Sequence, residues 1–254
     1  MSLARAATVG SAGLAAVDVV LAGRASGRAA AARRVTKPLL MPLLAVRVVA
    51  RTWGREPADA GFDGSTGPVG SLDSLGSVGS VGDGRGGATR DDAASTLAAL
   101  ALSTAGDVAL LGESEAALAV GIGAFAGAHL AYLRRLGGVA ALRPSARSPA
   151  GLGIAATTVA TAPVLVAGAR RRHPALGIAV GGYAALVAAT AVAAQARVAG
   201  RAQPASTRAG AALFWCSDAL LGLRMFVLGG PPSALDSAVM ATYCAGQYGL
   251  TRAP

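Results

Sequence analysis

The sequence predicts an all-α membrane protein, a polytopic bundle of eight transmembrane helices, on three observations. Of the 254 residues, 53% are hydrophobic and only 14% are charged, and the mean hydropathy is +0.52. This composition is too apolar for a soluble domain of this length. The apolar residues form runs of about 17–22 residues, the length that crosses a bilayer core, and short Arg-rich segments separate these runs. We therefore expect residues 1–254 to form a single integral membrane domain. The predicted spans are residues 6–22, 36–50, 93–111, 115–136, 150–169, 174–196, 209–228 and 233–250.

The net charge of +10 could also indicate a nucleic-acid-binding protein. However, nearly all the basic residues are arginines between the apolar runs, where they would lie at the level of the lipid headgroups. Aromatic residues make up only 4% of the chain, so no basic and aromatic surface is indicated. We therefore expect membrane lipid around the protein and no nucleic-acid partner, and the sequence carries no prediction of oligomeric state.

The first span follows Arg5 and could pass for a signal peptide. It contains Asp18, lacks a convincing cleavage site and is soon followed by another span, so we interpret it as a transmembrane helix. We place Asp18 at the membrane interface, with a position facing a cavity as the alternative. Residues 24–34 are predicted to form a basic connection.

The second span begins near Thr36, which would place Pro38 in the first helical turn, where its missing N–H costs nothing. Pro42 then predicts a kink. Lys37 is the only lysine in the chain and would lie at the mouth of this helix. Its simplest role is that of another cation at headgroup level.

Residues 53–92 differ in kind, because they are rich in Gly, Ser and Asp and hold about half of the acidic residues. Such a composition predicts a flexible loop. Its glycine-rich stretch, residues 82–87, follows no predicted strand and lacks a Lys-Ser/Thr pair, so we do not interpret it as a phosphate-binding loop.

The remaining spans carry polar residues at helical spacing. Residues three or four apart lie on one face of a helix, which pairs Ser103 with Asp107 in the third span, His129 with Tyr132 in the fourth, and Tyr243 with Gln247 in the eighth. The fourth span also has Gly123 and Gly127, which predict a seam for close helix packing. The fifth span is predicted to be scaffold, the sixth adds Tyr183 as a possible cavity residue, and the seventh carries Ser217 and Asp218.

Two carboxylates in apolar helices, Asp107 and Asp218, are the feature that any function must explain. Each costs roughly 2.5–3.5 kcal/mol on insertion scales, so intramembrane acids usually face a polar cavity. Two carboxylates in different environments can divide acid and base work between them. Ser103 and Ser217 are weak nucleophile candidates because no G-x-S-x-G motif is present. The chain has only two His and no Cys cluster, so we expect no metal site and no cofactor. Transport remains an alternative, because intramembrane acids also bind coupling protons or cations, and a structural membrane protein is a third.

The polar positions form a series that resembles the YhhN-like family of membrane proteins, which includes the eukaryotic transmembrane lysoplasmalogenases. The resemblance depends on the order, spacing and placement of these residues in apolar spans, and it covers most of the chain except residues 53–92. The series comprises Lys37-Pro38-Leu39-Leu40-Met41-Pro42, Ala101-Leu102-Ser103, Gly106-Asp107, Phe125, His129, Tyr132, Gly210, Leu213-Phe214, Ser217-Asp218, Tyr243 and Gln247.

The resemblance implies an eight-span bundle that hydrolyses the vinyl ether bond of a lysoplasmalogen to a fatty aldehyde and a glycerophospho-headgroup. We expect a multi-pass protein of the bacterial inner membrane, and our hypothesis assigns the general acid and base roles to Asp107 and Asp218, in either order, with His129 relaying a proton or orienting a carboxylate. Lys37 would hold the lipid phosphate. The residues expected to position water and substrate are Ser103, Tyr132, Ser217, Tyr243 and Gln247. Residues 53–92 and Thr190, where a larger apolar residue is expected, depart from the family pattern. The alternative is a non-enzymatic lipid-binding protein or a small transporter.

Overall fold

The computed structural model describes residues 2–53, 84–145, 147–195, 197–198 and 201–252. In these ranges the chain is almost entirely helical, which confirms the all-α prediction. The helices are α1 (Leu3–Ala22), α2 (Gly27–Thr52), α3 (Gly84–Ala109), α4 (Glu115–Arg135), α5 (Leu142–Ser145), α6 (Pro149–Arg170), α7 (Pro174–Ala193), α8 (Ala205–Leu223) and α9 (Ala234–Leu250). A 3-10 turn, Gly138–Ala141, precedes α5, and a π-helical turn, Arg224–Leu228, continues α8. The short strands β1 (Arg197–Val198) and β2 (Arg201–Ala202) pair antiparallel between α7 and α8.

Among the described residues, five helices are long and apolar enough to cross a bilayer: α1, α4, α6, α7, and α8 together with its π-helical turn. Their outer faces carry large apolar side chains, of which Val120, Val159 and Ile178 are 61%, 75% and 80% exposed. Extensive apolar exposure of this kind suits lipid rather than water. The chain is therefore a multi-pass helical membrane protein. The other predicted spans fall on α2, which carries basic residues along its length, on α3, and on α9, which has 17 residues.

Helix α2 begins nine residues earlier than predicted, at Gly27 instead of Thr36. The predicted basic connection, residues 24–34, is mostly helix because Ala and Arg both have high helix propensity. Ser26 caps the new start, and its Oγ accepts a hydrogen bond from the N–H of Ala29 at 3.2 Å. Pro38 and Pro42 consequently lie inside the helix, so the prediction of Pro38 in a first turn is wrong.

The predicted loop at residues 53–92 is wrong at its end, because α3 begins at Gly84 and includes residues 84–92. Extending a helix that packing already stabilises costs less than nucleating one. Where this extension joins the predicted span, Thr96 Oγ1 donates to the carbonyl oxygen of Asp92 at 2.7 Å. The rest of the predicted loop, residues 54–83, lies outside the described residues.

The long helices pack in a closed ring. The order of neighbours around it is α1, α2, α3, α4, α7, α8 and α9, and α9 returns to α1. Helix α6 lies outside the ring, where it packs mainly on α7 and touches α8 and its π-helical turn. The ring brings the third, fourth, seventh and eighth predicted spans together around one interior, so their polar faces can meet.

Close packing between α8 and α9 depends on glycine. A Cβ atom at Gly210 would lie 2.7 Å from the backbone nitrogen of Leu250, so a larger residue would push the two helices apart. The predicted glycine seam in α4 is correct at Gly127, whose Cβ would contact Leu102 at 3.1 Å. It is wrong at Gly123, where a Cβ would meet no atom within 4 Å.

Candidate active site

A polar cavity of about 160 Å³ lies inside the ring, between α2, α3, α4, α8 and α9. Both carboxylates that the sequence singles out, Asp107 and Asp218, line it, so the two residues converge on one cavity. Lys37, Ser217 and Tyr243 also line this cavity. The Ser217 hydroxyl is engaged by the backbone, because it donates to the carbonyl oxygen of Val239 at 3.0 Å.

Asp107 is buried and both of its oxygens have partners. The Lys37 Nζ lies 3.2 Å from its Oδ1, and the Tyr243 hydroxyl donates to its Oδ2 at 2.7 Å. The carboxylate thus joins α3 to α2 and α9. A carboxyl group that accepts from donors on both oxygens is suited to remain an anion in the site and poorly placed to donate a proton of its own.

Asp218 has a different environment. Its Oδ2 lies 3.1 Å from His129 Nε2 and accepts a hydrogen bond from the Tyr183 hydroxyl at 3.0 Å. Among the described residues, no hydrogen bond or ion pair is found to its Oδ1, and its side chain is 11% exposed. One oxygen is therefore held by histidine and tyrosine, while the other is available to a molecule in the cavity.

His129 occupies a closed position beside Asp218. Its Nδ1 is buried and has no hydrogen-bond partner in the described part of the chain. The ring lies against Phe214, with the two ring centroids 4.5 Å apart, and Thr190 Oγ1 donates to the His129 carbonyl oxygen at 3.3 Å. Thr190 thus contacts the backbone that positions the histidine. The Nε2 contact is the one through which His129 can exchange a proton with Asp218.

Three other predicted site residues form a separate buried chain of hydrogen bonds. Tyr132 donates its hydroxyl hydrogen to Gln247 Oε1 at 2.6 Å, and Gln247 Nε2 donates to Ser103 Oγ at 2.9 Å. All three side chains are fully buried, and none of them lines the polar cavity. The chain ties α3, α4 and α9 together next to the site, and the expected role of these residues in positioning substrate stays a prediction.

Two charged residues that line the polar cavity, Arg33 and Asp236, were not predicted as site residues. Arg33 lines the polar cavity from α2, one helical turn before Lys37. Its Nε lies 3.4 Å from Oδ1 of Asp18, which also accepts a hydrogen bond from Thr36 Oγ1 at 2.5 Å. Asp18 is 0% exposed, so its side chain is enclosed by the packed helices, and its position at the membrane interface stays a prediction. The i, i+4 spacing of Arg33 and Lys37 places both residues on one helix face only if residue 33 is helical. This spacing could not be used from the sequence, because the predicted start of α2 lies after Arg33.

Tyr183 is, after His129, the second partner of Asp218, and the sequence signals this role only weakly. It is a lone polar aromatic residue in an otherwise apolar helix, and the structure makes it a direct hydrogen-bond donor to Asp218. In the parts of the chain that the structure describes, no group of His, Cys, Asp and Glu side chains could hold a metal ion.

A second, apolar cavity of about 70 Å³ lies between α4, α6, α7 and α8. Its lining on α8 and the following turn extends from Trp215 to Phe226, which is roughly 16 Å along a helix axis. Asp218 belongs to the linings of both cavities. The carboxyl group of Asp218 therefore lies where a polar compartment meets an apolar one.

The fold and the site together define a class: a multi-pass helical membrane protein whose helices enclose the carboxylates of Asp107 and Asp218 beside an apolar cavity. The model of the YhhN family matches residues 81–253, and the chain belongs to the YhhN family. The matched region contains every predicted site residue except Lys37, which lies in α2, outside the match. No curated protein and no solved structure matches the chain at a significant level.

Proposed function

We propose that this protein is a lysoplasmalogenase-like hydrolase with eight transmembrane helices, located in the bacterial inner membrane. It cleaves the vinyl ether bond of a lysoplasmalogen to a fatty aldehyde and a glycerophospho-headgroup. The observation that carries the proposal is the position of Asp218, which lines both the polar and the apolar cavity. Membership of the YhhN family is consistent with a hydrolase.

The two cavities match the two halves of a lysoplasmalogen. Its hydrocarbon chain is joined to a glycerophospho-headgroup through a vinyl ether, so the bond to be broken lies at the junction of an apolar and a polar part. With the chain in the apolar cavity and the headgroup in the polar one, the vinyl ether would lie beside Asp218. Binding pockets commonly combine apolar walls with a few well-placed polar groups in this way.

The reaction begins with transfer of a proton to the alkene carbon of the vinyl ether that is not bonded to the ether oxygen. This step gives an oxocarbenium-like cation; water adds to it and loses a proton to the Asp218–His129 pair, which forms a neutral hemiacetal. The hemiacetal then breaks down to the aldehyde and the free hydroxyl of the glycerol. The demand resembles glycoside cleavage, in which one carboxyl donates a proton and a second carboxylate stabilises the cation or activates water.

The contacts of the two carboxylates favour one assignment of the proton donor and of the anion. Asp218 donates the proton, because one of its oxygens is available to the cavity and His129 Nε2, 3.1 Å from the other, can restore the proton afterwards. Asp107 remains the anion, held by Lys37 and Tyr243, and it stabilises the cation and orients water. Electrostatic stabilisation of this kind is strong in a site with few water molecules.

The proposal is tested by incubating the purified, detergent-solubilised protein with lysoplasmenylethanolamine and following the release of fatty aldehyde. A lysophospholipid with an ester-linked chain serves as the control substrate. We expect aldehyde from the vinyl ether and no cleavage of the ester. Ester cleavage would indicate a different lipid hydrolase, and no product from either substrate with folded protein would favour the lipid-binding or transport alternative.

A further inference from the structure

The polar cavity contains a cation that the proposed reaction does not use, Arg33. It lies on α2 one turn before Lys37, and both side chains line the cavity. The Lys37 ammonium is engaged by Asp107 at 3.2 Å, and its side chain is 11% exposed, whereas that of Arg33 is 24% exposed. Arg33 is thus the more accessible of the two cations.

The surroundings of Arg33 fix its guanidinium group without using all of its donors. Asp18 lies 3.4 Å from its Nε and 3.5 Å from its Nη2, which is longer than the roughly 2.7–2.9 Å of a strong charge-assisted hydrogen bond. The Nε is buried and has no hydrogen-bond partner within the described ranges, so a ligand in the cavity would contact the terminal nitrogens of the guanidinium instead. Because a guanidinium carries five N–H donors in a fixed fork, this ion pair orients the group and leaves donors for a ligand.

We propose that Arg33 binds the phosphate of the lysophospholipid headgroup, and that Asp18 and Thr36 orient it. This inference rests on the proposed function, because it names the headgroup contact of the same site. A planar guanidinium matches the oxygen atoms of a phosphodiester better than a lysine ammonium does. Arg33 thereby takes the phosphate contact that was expected of Lys37 from the sequence, and Lys37 is left to hold Asp107.

The test measures binding without turnover, which separates this inference from the proposed catalysis. Two ligands with the same saturated, ether-linked chain cannot undergo vinyl ether cleavage: 1-O-alkyl lysophosphatidylethanolamine, which has the phosphate, and 1-O-alkylglycerol, which lacks it. Their dissociation constants are measured by calorimetry on the full, detergent-solubilised chain. We compare Arg33→Gln with Arg34→Gln, a matched loss of charge at the neighbouring exposed position.

For Arg33→Gln we expect the dissociation constant of the phosphate-containing ligand to rise about tenfold or more, as for the loss of a hydrogen bond to a charged group. The constant for 1-O-alkylglycerol should change less than about twofold, and Arg34→Gln should change neither. Unchanged affinity for both ligands, or an equal loss for both, would overturn the proposal. So would binding of inorganic phosphate as tight as that of the lysolipid, because the site would then recognise free phosphate.

Removing Arg33 alone leaves the buried carboxylate of Asp18 without its cation, which can destabilise the fold. The double variant Asp18→Asn/Arg33→Gln removes both charges and keeps the test valid if the single variant does not fold. The double variant should show the same selective loss for the phosphate-containing ligand. Arg33→Lys should restore part of the affinity, because it returns the charge without the planar fork, and no recovery at all would contradict a role based on charge.

Discussion

Replacing Asp218 by asparagine removes the proposed proton donor and leaves the shape of the side chain nearly unchanged. Asparagine keeps an oxygen at the Oδ2 position, where it can accept the Tyr183 hydroxyl and lie beside His129 Nε2, now 3.0 and 3.1 Å from Asp218 Oδ2, and its amide nitrogen takes the Oδ1 position. The side chain borders open cavities on two sides, so the substitution creates no void in a packed core. We expect the variant to fold, with a melting temperature in detergent close to that of the wild type.

The expected loss of activity follows from the role of the carboxyl group. General acid catalysis by a positioned side chain contributes about 10²–10⁴-fold in rate, which corresponds to about 3–5 kcal/mol of transition-state stabilisation. We therefore expect kcat for Asp218→Asn to fall by that factor, while KM changes little because the hydrophobic chain and headgroup contacts remain. Aldehyde release is followed over time with lysoplasmenylethanolamine at several concentrations to separate kcat from KM.

A matched control is available in the same cavity. Asp236 also lines the polar compartment, but its carboxylate is bound by Arg224 at 3.0 Å and caps α9 through the Ser233 N–H at 2.8 Å. Asp236→Asn makes the same chemical change away from the apolar cavity and should keep kcat within about threefold. Near-normal kcat in Asp218→Asn, or an equal loss in both variants, would refute the assignment of Asp218 as the acid.

Three further predictions follow from the packing and the charges. Lys37→Met should lower both kcat and the melting temperature, because it leaves a buried carboxylate unpaired, a change that costs about 3–5 kcal/mol in other proteins; a rise in KM alone would instead indicate a phosphate contact. Ala219→Leu narrows the apolar cavity, so it should reduce turnover of long-chain substrates more than that of short-chain substrates. Ala209→Leu, on the exposed face of α8, should leave this chain-length preference unchanged. An unchanged chain-length preference in Ala219→Leu would show that the hydrocarbon chain lies elsewhere. Gly210→Ala should destabilise the fold by about 1–3 kcal/mol through overpacking against α9. Gly123→Ala, with open space around its Cβ, should be neutral or stabilising in the same thermal unfolding assay. Equal melting temperatures of the two variants would contradict the close contact between α8 and α9.

Much of the site could be predicted from helical periodicity, because the faces of a helix are a local property. The i, i+4 pair Ser103 and Asp107 does lie on one buried face of α3. Both carboxylates reach the same cavity, as expected for charged groups that are costly in lipid. The sequence pattern does not determine the rotation of each helix in the ring. For that reason it could not distinguish Tyr243, which lines the cavity, from Gln247, which lies in the neighbouring hydrogen-bond chain.

The errors at the starts of α2 and α3 share a physical origin at the ends of helices. An Arg-rich segment beside an apolar run can be either a connection at headgroup level or a continuation of the helix, because Ala and Arg favour helix in both settings. At residues 27–34 the structure shows a continuation, and this brings Arg33 onto the face that carries Lys37. The partnership of Arg33 with Asp18 is a contact between α1 and α2, and no pattern within either helix signals it.

The most direct test of the proposed chemistry detects the hydrogen isotope that is added to carbon in the first step. Hydrolysis of lysoplasmenylethanolamine by the purified protein is carried out in deuterium oxide, and the fatty aldehyde is analysed by mass spectrometry, with unlabelled aldehyde in the same buffer as a control for exchange. Protonation of the vinyl ether carbon by a carboxylic acid at the site predicts one deuterium on the carbon next to the aldehyde carbonyl. Aldehyde formed without deuterium at that carbon, or no aldehyde from folded protein, would contradict the proposed chemistry.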